Sequence, residues 1–71
     1  MYLVYGMTDR IRVLLREQDI TVTEFSRRIK MPRATVARIL AMERTPSVKF
    51  VVRTAKTLGV TADFLFDGRE E

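Results

Sequence analysis

The sequence predicts an all-α domain of five short helices. Three observations lead there. Apolar residues recur at helical spacing in five separate stretches. A good N-cap residue or a proline precedes each stretch. Only a few residues separate one stretch from the next, as compact helical domains require.

The first helix starts at Thr8, with Asp9 at the positive end of its dipole. Ile11, Leu14, Leu15 and Gln18 follow at helical spacing. Residues 1–7 stand before it as an N-terminal arm or a short strand, and the run Met1-Tyr2-Leu3-Val4-Tyr5 favours neither. Thr21 and Glu24 form a capping box for the second helix, whose buried face is Phe25, Ser26 and Ile29. A turn through Lys30-Met31 leads to Pro32, a residue favoured in a first helical turn. The third helix buries Val36, Ile39 and Leu40. Residues 43–46 form a loop, and Ser47 caps a fourth helix with the stripe Val48, Val51, Val52, Ala55 and Leu58. Gly59 is placed to end it in a left-handed cap. Thr61 caps a fifth helix holding Ala62, Phe64, Leu65 and Phe66. Asp67-Gly68 ends that helix, so residues 8–68 form one domain and residues 69–71 a charged tail.

Composition narrows the chemistry. Seventy-one residues suffice for one small domain. With neither cysteine nor histidine, disulfides and thiolate metal sites are excluded, and zinc, haem and acid–base catalysis lose their usual side chains. No metal or cofactor is expected. No apolar run approaches the roughly 18–20 residues of a membrane span. The apolar start has no basic region before it, unlike a signal peptide, so a soluble intracellular protein is expected. No nucleophile–base pair is recognisable, and no deep pocket is expected at this length, so the chain is not expected to be an enzyme. The net charge of +4 is unevenly spread. Residues 27–56 hold nine basic side chains against one acid, Glu43, a net +8; the remainder holds four basic and eight acidic, a net −4. A basic middle between acidic ends suits a polyanionic partner.

Residues 22–41 carry the pattern of a helix-turn-helix. Phe25, Ile29, Val36 and Ile39 are apolar where two short helices must face each other, and Ser26 is small at the crossing point. Such a pair packs at a steep angle and leaves the outer face of its second helix free to enter a groove. That face is Arg33, Ala34, Thr35, Ala37 and Arg38. Short side chains allow close approach to base edges, and arginine can bond guanine O6 and N7 together.

The chain resembles the Cro/phage-repressor (Xre-type) helix-turn-helix family over residues 8–68. Ile20-Thr21 with Glu24-Phe25-Ser26 carries the resemblance, as do residues 35–39, Pro46-Ser47 and residues 55–65. The resemblance implies the five-helix lambda-repressor-like fold, with the third helix in the major groove of double-stranded DNA. It implies a homodimer on a pseudo-palindromic operator, regulation by occupancy, most often repression, and a bacterial or phage-encoded cytoplasmic protein. By position, Arg33, Ala34, Thr35 and Arg38 fall where the family reads bases. Thr23, Pro32, Arg44, Thr45 and Lys49 fall where it holds phosphates, with Phe50 beside them.

The departures are specific. The family's phosphate-holding glutamine is Val22, so Thr23 or a backbone N–H must replace it as the orienter of the third helix. The turn glycine is Lys30: either lysine adopts a left-handed conformation at about 1 kcal/mol, or the turn is built differently. Pro32 replaces the usual capping serine. A buried Arg–Glu pair between the first and third helices, common in lambdoid repressors, corresponds to Leu15 and Leu40. Replacing both partners by apolar residues costs nothing net, whereas replacing one strands a charge.

Arg10 and Arg12 read as solvated, and Arg27 and Arg28 as either solvated or part of the field around DNA. Phe64 and Phe66 are candidates for a dimer interface that the N-terminal segment closes; the other reading has that segment fold over Phe64 within one subunit. The alternative to a DNA-binding regulator is a protein-interaction module or antitoxin-type regulator whose aromatic surface binds a protein partner.

Overall fold

Thr21, Ser47 and Thr61 start helices where the sequence places them. A computed structural model describes the backbone of residues 2–67 and the side chains of residues 6–66. The described residues form α1 (Tyr2–Glu17), α2 (Val22–Arg28), α3 (Arg33–Leu40), α4 (Val48–Leu58) and α5 (Ala62–Asp67), with no strand. Thr21 Oγ1 accepts from the Glu24 amide at 3.1 Å, Ser47 Oγ from the Phe50 amide at 3.1 Å, and Thr61 Oγ1 from the Phe64 amide at 3.0 Å. Pro32, expected in the first helical turn, stands instead at the N-cap of α3 with ψ 137° and no side-chain bond, so the helix starts one residue later at Arg33. The charged tail, residues 69–71, lies outside the described residues.

Two expectations are corrected. The first helix begins at Tyr2, not Thr8, so the expected arm or strand is helical over residues 2–7. Met7, Ile11 and Leu15 are spaced four apart and all buried, which carries the helical stripe past Thr8, itself buried, and back through Gly6. In α4 the stripe is turned toward Phe50. Phe50, Val51, Thr54, Ala55 and Leu58 are buried, whereas Val48 is 80% and Val52 45% exposed. Both stripes satisfy the helical period, and burying the larger aromatic removes more apolar area from water. Phe50 meets Phe25 edge-to-face, ring centroids 6.2 Å apart at 85°.

Helix α1 packs chiefly on α5 and also on α3, α2 packs on α3, and α4 on α5. Phe25, Ile29, Val36, Ile39, Phe50 and Leu65 meet in one core with the α1 stripe. Leu15 and Leu40 are both buried there. The positions of the family's ion pair therefore serve as ordinary core, with no charge stranded.

The helices leave the core by one device. Asp19 (φ 58°), Lys30 (φ 57°), Met42 (φ 63°) and Gly59 (φ 74°) are left-handed, one after each of the first four helices. At each exit an amide bonds five residues back: Ile20 to the Leu15 carbonyl, Met31 to Ser26, Glu43 to Arg38 and Val60 to Ala55. These are Schellman closures, which satisfy part of the open carbonyl row at a helix end. The lysine of the α2–α3 turn thus adopts the strained conformation; the turn is not rebuilt.

Remaining terminal carbonyls are met by long side chains from elsewhere in the chain. Arg53 Nη1 on α4 donates to the Ile29 carbonyl at 3.1 Å and the Lys30 carbonyl at 3.4 Å. Arg12 Nη2 on α1 donates to the Leu40 carbonyl at 2.8 Å, and Gln18 Nε2 to the Leu58 carbonyl at 2.9 Å. Arg10 Nη2 donates to the Phe66 carbonyl at 3.1 Å. Its guanidinium crosses Gly6, where an added Cβ would stand 2.8 Å from Arg10 Nη1. Arg10 and Arg12 are therefore bonded across helices rather than merely solvated.

Gly59 isolates the conformational cost of an exit, because nothing lies within 4 Å of a Cβ built there. Gly59→Ala is expected to destabilise the domain by about 1 kcal/mol, the left-handed penalty without a clash, measured by urea denaturation. No change would mean that the exit at Gly59 is not held left-handed in solution.

Candidate nucleic-acid interface

The α2–α3 unit is built from its crossing outward. Phe25, Ile29, Val36 and Ile39 are buried between the helices, and Ser26, 5% exposed, turns its hydroxyl to donate to the Thr23 carbonyl at 2.9 Å. A larger residue at Ser26 would force the helices apart. With Val36 and Ile39 facing inward, the opposite side of α3 is left to solvent. Arg33, Ala34, Ala37 and Arg38 are exposed there, Thr35 is half-buried, and Pro32 is exposed at the entry. The expected base-reading residues thus share one accessible face.

Arg33 does not hang free on this face. Its Nε donates to Thr23 Oγ1 at 2.9 Å, linking the start of α3 to the first turn of α2. Threonine thereby does the orienting that valine at position 22 cannot. Val22 is half-buried and packs against the core. Nε is only one of the nitrogens of the fork, so the two Nη groups remain to reach outward.

The expected phosphate-holding residues lie beside this face in sequence. Arg44 and Thr45 are exposed in the loop that follows the left-handed exit at Met42, and Lys49 is exposed in the first turn of α4. Phe50, expected near the same contacts, is instead fully buried against Phe25. Its aromatic bulk is accommodated in the core, as the turned stripe of α4 requires. On α2, Glu24 accepts from Arg27 at 3.1 Å and from Arg28 at 3.0 Å, which partly neutralises both.

The two aromatic candidates part company. Phe64 is half-buried, packed against the core and bordering Val13 and Leu14 of α1. Phe66 is 38% exposed. It borders an apolar depression of about 340 Å³ together with Met7, Pro46, Val48, Val52 and Ala62. Sequence reasoning missed Val48 and Val52 here, because it placed both in the core. The side chains of residues 1–5, which would decide whether the N-terminal segment covers Phe64, lie outside the described set.

Among the described residues no group of acidic side chains is arranged to hold a metal, and no helix is long and apolar enough to cross a membrane. A helix-turn-helix family model matches residues 11–65, most of the chain and all of α2, α3 and α4. The chain belongs to this family, the lambda-repressor-like helix-turn-helix domains, and is a DNA-binding regulator in kind. No characterised protein and no solved structure matches it significantly.

The Thr23–Arg33 link can be tested without DNA. Thr23→Val is expected to change stability by no more than about 0.5 kcal/mol, since Thr23 is exposed. The same change should speed solvent exchange of the Arg33 Nε proton, followed by NMR, whereas Thr23→Ser should leave it slow.

Proposed function

We propose that the chain is a sequence-specific regulator that binds a pseudo-palindromic operator as a homodimer and represses by occupancy. Each subunit lays α3 into the major groove, with the two recognition helices about 34 Å apart. Arg33 and Arg38 contact base edges, with guanine the simplest partner. Ala34 and Thr35 allow the close approach, and the Thr35 methyl can meet a thymine methyl. Thr23, Pro32, Arg44, Thr45 and Lys49 line the sugar–phosphate backbone and set the register. The work is done in the cytoplasm, and the protein carries out no chemical step.

The observation that carries this proposal is the outer face of α3. Two arginines stand among small side chains, and one is already oriented by Thr23. A lysine- and arginine-rich surface made only for solubility has no need of that orientation. The net +8 of residues 27–56 supplies the sequence-independent attraction that brings the face to DNA.

The second copy meets the first, in this proposal, through the apolar patch of Val48, Val52 and Phe66. The patch adjoins Pro46 and Thr45, so it stands at the edge of the phosphate-holding loop. Pairing there would join two subunits while leaving both α3 faces open. Phe64 serves the interface indirectly, by holding α5 against α1.

Selection from a random duplex library tests the proposal. A palindromic winner, preferred over random duplex by at least about 10³, is expected. On that winner Arg33→Ala should cost about 1–3 kcal/mol and relax preference at one base pair. Arg44→Ala should weaken all duplexes alike and make the salt slope shallower. Identical behaviour of the two variants would refute the division into base and phosphate contacts. Phe66→Asp should yield a sedimenting monomer; a persistent dimer would refute the interface. Enrichment of no sequence would refute sequence-specific reading altogether.

A further inference from the structure

We infer that Arg53, outside the recognition unit, is the positioning residue that holds the angle between α2 and α3. The inference rests on the DNA-binding proposal only for its effect on affinity; the bracing itself belongs to the free protein.

The α2–α3 turn is under two demands at once. Lys30 is left-handed, a conformation that costs any residue with a Cβ. The turn must also leave α2 with terminal carbonyls exposed at its end. The Schellman bonds from Lys30 and Met31 amides reach the Arg27 and Ser26 carbonyls and leave those of Ile29 and Lys30 unmet. Arg53 meets both with a single nitrogen, Nη1, at 3.1 and 3.4 Å. Its charge also faces the negative end of the α2 dipole.

The position of Arg53 makes it a brace and not only a cap. It stands on α4, one residue before the buried Thr54 and two after the buried Val51. Its backbone is therefore fixed to the core, and its half-buried side chain carries that fixity to the turn. Pro32 and Arg33 follow the turn within three residues, so any change at Lys30 re-aims the start of α3. Glycine would take the left-handed turn freely. Lysine does not, and the bond from Arg53 is what the lysine turn has in its place. Arg28, Lys30 and Lys56 line the same cleft, so the guanidinium is kept there against like charge by the two carbonyls.

The test removes the donor and keeps the stem, with Arg53→Met. In DNA-free protein, amide exchange at Lys30 and Met31 should speed up about tenfold relative to amides in the middle of α4. On the selected duplex, affinity should fall about tenfold, while affinity for random duplex and the salt slope stay near wild type. Adding Lys30→Gly should return most of the lost preference, because glycine holds the turn without a brace. Should Arg53→Met fail to fold, Arg53→Lys keeps the charge on a side chain that ends one atom short of the Nη1 position, and should give the same pattern at about threefold.

Unchanged exchange at Lys30 and Met31 would overturn the inference. So would an equal loss on all duplexes with the salt slope reduced by about one, which would make Arg53 a phosphate contact. Failure of Lys30→Gly to restore preference would place the effect away from the turn and overturn it equally. If wild-type protein prefers no duplex, the DNA-binding proposal fails, while the exchange measurement still decides for or against Arg53.

Discussion

The left-handed exit after each of α1 to α4 is the constraint on which the rest of the structure depends. Helices of seven, eight and eleven residues are too short to persist alone. They must end sharply to fold back on one another within so small a domain. Three of the four exits use Asp19, Lys30 and Met42 in a conformation that costs a residue with a Cβ about 1–2 kcal/mol. The Schellman bonds offset part of that cost. Arg53, Arg12 and Gln18 satisfy carbonyls left at the ends of α2, α3 and α4, and Arg10 does the same for α5. Each donor comes from a region distant in sequence, so satisfying a helix end also ties two parts of the chain together.

The same ties shape the face proposed to meet DNA. α3 is fastened at its entry by Thr23 to Arg33 and at its exit by Arg12 to Leu40. Val36, Ile39 and Leu40 fix its rotation by burial. An eight-residue helix held in these three ways presents a defined surface in the free protein, and such preorganisation reduces the ordering cost of any association. Arg12 also restores, by a different bond, a link between α1 and α3 at a place where Leu15 and Leu40 offer only packing. Basic side chains in this chain therefore serve two ends: Arg10, Arg12 and Arg53 are structural donors, whereas Arg33, Arg38, Arg44 and Lys49 face outward.

Much of this was legible in the sequence, and the part that was not has physical reasons. Thr21, Ser47 and Thr61 announce helix starts because a cap is a local interaction, settled within three residues. Phe25, Ile29, Val36 and Ile39 announce the helix pair because their spacing leaves one way to bury them together. The substitution of Val22 points to Thr23 or a backbone N–H as the orienter, and the bond from Arg33 Nε to Thr23 Oγ1 decides between them. The start of α1 was misplaced because Thr8 is a good cap by type, and only the burial of Met7 against the rest of the core shows that the helix continues. The stripe of α4 was mis-phased because Val48–Val52 and Phe50–Thr54 obey the same period. The roles of Arg10, Arg12 and Arg53 were invisible, since a bond to a carbonyl 24 to 56 residues away leaves no pattern in sequence. The outward face of α3 was read correctly in composition, but its contact with DNA rests on proposal.

That contact is tested most directly by solution NMR of the protein on its selected duplex. Intermolecular NOEs between Ala34, Thr35 or Arg38 and major-groove protons, with none from the exposed face of α1, are the predicted result. Groove contacts made instead by α1 or by the Val48–Phe66 patch, with α3 turned to solvent, would contradict the account.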